Sequence, residues 1–139
     1  MKQINKSNYQ KHKLYPTIAR IVATILETNN VVTPLEVLLC SQRISKQQIE
    51  DWRFGRISYL ERVCVGNLSK LSTILRILEH HALAIGLKPS QTVYRKWGRG
   101  GKGIVLRFSR TGEPALEAAY SRHYVRMGQP DSVERGPDD

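Results

Sequence analysis

The sequence predicts a mainly α domain of the α+β class, with about five helices, one of them long and central, and a single β-hairpin. Three observations carry that expectation. Apolar residues recur at spacings of three and four along most of residues 16–85, the period of an amphipathic helix. Helix-start signals, a Ser or Thr with Glu or Gln three residues on, stand at Thr33, Ser45 and Ser58. After Pro89 the period changes to two on both sides of the run GRGGKG at 98–103, which reads as two strands around a turn.

Taken in order, residues 1–15 (MKQINKSNYQKHKLY) read as a flexible basic arm. Pro16 suits a first helical position, where its missing N–H has no helical partner in any case. Ile18, Ile21, Val22, Ile25 and Leu26 then predict a helix over 16–28. Thr33 and Glu36 open a short helix running to about Cys40, and Ser45 and Gln48 open a second, with Ile49 and Trp52 on its apolar side. Ser58 and Glu61 open the longest element. Its stripe of Leu60, Cys64, Leu68, Leu71, Leu75, Leu78, Ala82 and Ile85 stays in phase across Gly66, so one helix over 59–85 is expected. Gly66-Asn67 is the place where it would otherwise divide, with Asn67 capping the second piece. Gly86 and Pro89 stop it.

In the hairpin, Ile104, Leu106 and Phe108 should face inward and Arg107 outward. A last helix is expected over about 113–126, with Leu116, Tyr120, His123 and Met127 on one face. The final stretch GQPDSVERGPDD, 128–139, is acidic and poor in apolar residues and reads as a disordered tail. The single globular domain is therefore placed at 16–127. Cys40 and Cys64 both fall in apolar helical patterns and read as buried free thiols.

Charge points to the class of partner. The chain of 139 residues carries 22 Lys and Arg against 12 Asp and Glu, a formal net charge of +10. Such a field attracts polyanions, among which nucleic acid is the most abundant in a cytoplasm. No apolar run approaches the roughly 18 residues a membrane span needs, and no signal-peptide core follows the basic N-terminus. The expectation is a cytoplasmic protein with no membrane partner. From Lys88 to Thr111 there are basic residues at 88, 95, 96, 99, 102, 107 and 110 and no acid.

The glycine-rich run is not a phosphate-cradling nucleotide loop. Such a loop ends in Gly-Lys-Ser/Thr and opens a helix, whereas Lys102 precedes Gly103 and a strand pattern. Two readings stay open: a solvated hairpin tip, or a wing that lets Arg95, Lys96, Arg99, Lys102 and Arg107 approach phosphates, with Tyr94 and Trp97 available for base stacking.

Residues 33–56 (TPLEVLLCSQRISKQQIEDWRFGR) resemble the helix-turn-helix of phage-repressor-like DNA-binding domains. The resemblance lies in Thr33, Leu38, Ser45, Ile49, Trp52, Gly55 and Arg56. It implies that Lys46, Gln47, Gln48 and Arg53 face a DNA groove. The sequence departs from the pattern in its longer, glycine-free turn CSQRIS and in Glu50 and Asp51 on the helix that would read bases. An ordinary three-helix packing unit is the other reading of the same residues.

The leading expectation is thus a non-catalytic nucleic-acid-binding protein, DNA or RNA, using the hairpin and the second short helix (Lys46, Gln47, Arg53, Arg56). A second is a small interaction subunit that dimerises, or binds a partner, through the apolar stripe of the long helix. A third is a phosphodiester-processing enzyme using His123 and Arg122. No cofactor motif and no metal-ligand spacing is present: His80 and His81 are adjacent and point about 100° apart on a helix.

Overall fold

The computed structural model describes residues 4–101 and 103–129. Lys102 and most of the expected acidic tail (130–139) lie outside the described residues.

Five α-helices and a three-stranded antiparallel sheet are present among them: α1 (Tyr15–Leu26), β1 (Val31–Val32), α2 (Pro34–Cys40), α3 (Lys46–Arg53), α4 (Leu68–Ala84), β2 (Lys88–Gln91), α5 (Pro114–Ser121) and β3 (Arg122–Val125). The strand order is β1-β3-β2. Val31 pairs with Val125 on one side of β3, and Lys88 pairs with the same residue on the other. The fold is α+β, as expected.

Local chemistry sets most helix starts. Pro16 stands in the first turn of α1. The Thr33 hydroxyl accepts the Glu36 N–H at 3.1 Å. Ser45 and Gln48 form a complete reciprocal box, 3.1 and 3.0 Å. Each such cap is worth about 1 kcal/mol. At the far end of α4, Leu87 N–H bonds Ala82 C=O and Gly86 N–H bonds Leu83 C=O. Those two bonds close the helix in a Schellman motif.

Five departures concern the helices, the N-terminal segment and the cysteines. The long helix is divided: a 3₁₀ turn, Leu60–Arg62, precedes α4, and Asn67 caps α4 by accepting the Lys70 N–H at 2.7 Å. Val65 N–H is drawn away to Arg43 C=O at 2.7 Å, and Gly66 takes φ +110°, a conformation that favours glycine. The third box does not form. Tyr59 is extended, and Glu61 turns inward, where its carboxylate accepts Tyr120 Oη at 2.6 Å and Arg110 N–H at 2.8 Å.

Third, the expected last helix stops at Ser121, and His123 and Tyr124 lie in β3, the central strand. Fourth, the N-terminal arm is not loose where it is described. Tyr9 is 5% exposed, stacks on His80 and meets Tyr15 edge-on, which fixes the segment against α4. Fifth, Cys40 is exposed and Cys64 half-buried. Burial pushes the Cys64 thiol up to about 12, helped by the Glu61 charge.

The core forms where α1, α4 and the sheet meet an aromatic cluster of Trp52, Tyr94, Phe108 and Tyr120. Trp52 and Phe108 are 4.8 Å apart by centroid, and Phe108 and Tyr120 stack at 5.3 Å. Trp52 is fully buried, and its indole N–H bonds Arg107 C=O at 2.8 Å. Leu71, Leu75, Leu78 and Ala82 from the apolar stripe are buried in this same core. No helix is long and apolar enough to cross a membrane among the described residues.

Candidate nucleic-acid interface

Among the described residues, the two runs expected as strands form a hairpin without regular strands: its arms share one isolated bridge, and their base is rooted in the core. Tyr94, Leu106 and Phe108 are buried at its base. Arg95 pairs with Val105, and Lys96 N–H bonds Ile104 C=O at 2.9 Å. Ile104, expected to face inward, is 49% exposed, because the core ends at Leu106. The tip folds back tightly: Gly101 N–H bonds Gly98 C=O at 3.0 Å, and a Cβ on Gly101 would lie 2.5 Å from Lys96 O. No side chain larger than hydrogen fits there.

The return arm is held by two carboxylates. Glu117 accepts Phe108 N–H at 2.9 Å, Ser109 N–H at 2.7 Å and the Ser109 hydroxyl at 2.5 Å. Glu61 takes the next amide, Arg110 N–H. Three successive backbone donors are thus satisfied by two acids, Glu117 from the following helix α5 and Glu61 from a turn 49 residues away.

The second short helix and the hairpin, two separate candidates in the sequence, meet in space. Trp97 N–H bonds Arg53 C=O at 2.7 Å, and the Phe54 and Trp97 rings make an edge contact at 5.6 Å. The Lys96 stem runs over Gly55, close enough that a Cβ there would lie 2.8 Å from Lys96 Cε. On the two segments that meet here Arg56, Arg95 and Arg99 are exposed and Lys96 is half-buried. Lys46 and Gln47 are exposed at the opposite end of α3, about 10 Å along the helix at 1.5 Å per residue. Gln47 and Arg56 are bridged by Asp51, at 3.0 and 2.9 Å.

Two predicted contact residues are placed otherwise. Arg53 is only 4% exposed; its guanidinium lies over Trp97 at 4.5 Å and Tyr94 at 5.1 Å. The position that would face a groove instead braces the hairpin, because the aromatic faces of residues 94 and 97 are attractive seats for a cation. Arg107 is exposed but donates to Ser109 C=O at 2.9 Å and Arg110 C=O at 3.0 Å and covers Tyr59.

Tyr94 and Trp97 also separate. Tyr94 is buried with its hydroxyl 2.8 Å from His123 Nε2, whereas Trp97 is half-buried at the surface. The sequence reasoning passed over Phe54, whose aromatic character next to Gly55 was the available signal. It also passed over Glu36 beyond its capping role. Burial raises the Glu36 carboxyl above its ordinary value, with His123 opposing.

His123 and Arg122, the residues of the enzymatic expectation, lie in different surroundings. His123 is wholly buried. Arg122 is ion-paired with Glu79 at 3.0 Å in a cleft of about 410 Å³ between α4 and α5 that also holds Glu113.

Comparison of the chain with protein-family models, with curated proteins and with solved structures finds no match in any of the three.

Proposed function

We propose that this protein binds nucleic acid, DNA or RNA, without catalysing a reaction on it. One observation carries the reading: the end of α3 and the hairpin meet through the Trp97 N–H to Arg53 C=O bond and the Phe54–Trp97 ring contact, and these two joined segments carry the exposed Arg56, Arg95 and Arg99 and the half-buried Lys96. Cations on a rigid support lose little freedom on meeting phosphates, and each neutralised phosphate releases counterions. The formal net charge of +10 supplies long-range attraction. The interaction-subunit reading loses its main support, since the stripe from Leu71 to Ala82 lies in the protein's own core. The enzymatic reading loses its base, since His123 is inaccessible.

The test is fluorescence anisotropy with labelled oligonucleotides across a salt series. Affinity should fall steeply with salt, and Arg56→Glu with Arg99→Glu should weaken binding at least about tenfold and flatten the salt slope by about one to two. Absence of binding to any nucleic acid at about 50 mM salt, or variants that bind like the parent while retaining its circular dichroism, overturns the proposal.

A further inference from the structure

Gln129 is tied to the loop before β1. Arg126 N–H bonds Asn30 C=O at 2.8 Å, Gln129 N–H bonds Arg126 C=O at 3.1 Å, and the Asn30 side-chain amide donates to Gln129 Oε1 at 3.4 Å. Three residues past Asn30, Thr33 shares a groove of about 230 Å³ with Arg53 and Trp97. Three extended residues span about 10 Å, and a space of that volume is about 8 Å across. Adding the contact between Gln129 and Asn30, the junction of α3 with the hairpin lies within about 25 Å of Gln129. Lys96 adjoins Trp97 in the chain, Arg99 follows two residues on, and Arg56 stands three residues beyond Arg53.

Charge supplies the second observation. Residues 130–139 carry Asp131, Glu134, Asp138 and Asp139 against the single base Arg135. Residues 88–111 carry seven basic residues and no acid. On α3, Asp51 is already engaged with Arg56 and Gln47. An extended chain advances about 3.3–3.6 Å per residue. Asp131 and Glu134, two and five residues past Gln129, are therefore carried at most about 7 and 18 Å from it. Asp138 and Asp139, nine and ten residues past it, have a reach of about 30–36 Å. Of the four acids, these two have a reach that exceeds the distance to the junction.

We propose that Asp138 and Asp139 compete with nucleic acid for the cations of this junction, Arg56, Lys96 and Arg99. The proposal rests on the nucleic-acid reading above and adds its regulation: the chain carries its own competitor for the same site. The competitor is covalently tethered, so its effective concentration is on the order of millimolar. Small anions at lower concentration lose to it. A run of phosphates displaces it, because several charges engage at once and each neutralised phosphate releases counterions.

The experiment uses the full chain and two variants of equal net charge. One is Asp138→Asn with Asp139→Asn; the other is Asp131→Asn with Glu134→Gln, in the same segment but short of the junction. Without nucleic acid, the first variant should shift the backbone amide resonances of Arg56, Lys96 and Arg99 relative to the parent, and the second should leave them in place. With a labelled oligonucleotide at about 50 mM salt, the first should bind about 2- to 20-fold more tightly than the parent, taking about 1.4- to 5-fold for each exposed charge pair. The second should gain less than about 2-fold, and the advantage of the first should shrink as salt rises. Equal gains from the two variants show that net charge alone acts and overturn the competition, as do unmoved resonances in the first variant; in both cases the nucleic-acid reading stands. Failure of the parent and both variants to bind any nucleic acid overturns that reading and the competition together.

Discussion

The Glu117 clamp allows the most direct calculation. Its carboxylate satisfies the amides of Phe108 and Ser109 and the Ser109 hydroxyl. Phe108 and Ser109 are both buried, so water cannot replace a lost acceptor there. Glu117→Gln keeps the shape and one oxygen. If that oxygen stays with Ser109, the new NH₂ faces the Phe108 N–H, donor against donor. An unsatisfied buried donor costs about 1–3 kcal/mol, and the remaining bonds lose their charge assistance, roughly 0.5–1 kcal/mol each. Because Glu117 itself is half-buried, we take the lower part of the sum, about 2–3 kcal/mol. For a domain of this size that is a fall in Tm of about 6–15 °C. Urea titration followed by circular dichroism measures the loss, with exposed Glu50→Gln as the control, expected within about 0.5 kcal/mol of the parent. If Glu117→Gln costs no more than that control, the clamp contributes nothing to holding the return arm and the reasoning fails.

Other expectations follow from single contacts. Gly101→Ala places a Cβ 2.5 Å from Lys96 O and should cost about 1–3 kcal/mol, whereas Gly103→Ala meets nothing within 4 Å and should be neutral or slightly stabilising. Equal melting temperatures for the two would show that the tip does not fold back as described. Gln42 holds φ +61° in the turn between α2 and α3, so Gln42→Gly should raise stability by about 0.5–1 kcal/mol; a loss in chemical denaturation would contradict that backbone conformation. Burial pushes His81 below its ordinary 6.5, so the unfolded chain binds a proton that the folded one resists. Its contribution is full above about pH 6.5 and declines as the pH falls below that value. His81→Phe should therefore flatten the loss of stability between pH 7 and 5, and an unchanged slope would remove His81 from the account. Glu36 acts in the opposite sense, since its raised folded value favours the fold at low pH and is lost as pH rises. Glu36→Gln should accordingly stabilise the protein at pH 7.

How much was legible in the sequence varies with the range of the interaction. Thr33, Ser45 and Pro16 act over three or four residues, and all three mark helix starts in the structure. The same signal at Ser58 did not open a helix, because Glu61 found Tyr120 Oη and Arg110 N–H, partners 59 and 49 residues away. β3 was hidden for a related reason. Residues 122–125 continue the helical spacing of α5, and only Val31–Val32 and Lys88–Gln91 arriving on either side make a strand of them. Arg53 looked like a surface cation in sequence, and the rings that cover it come from residues 94 and 97.

Local chemistry in the chain by itself determined the starts of α1, α2 and α3, the hairpin turn, the stop at Gly86 and the basic, acid-free stretch from 88 to 111. These depend on backbone torsion, neighbouring hydrogen bonds and composition, which are properties of adjacent residues. The tertiary structure alone decided the division of the long helix, the central strand, the inward turn of Glu61 and the meeting of α3 with the hairpin tip. Each of those depends on which groups are left without water and which distant partner can replace it, and that is settled only when the segments pack.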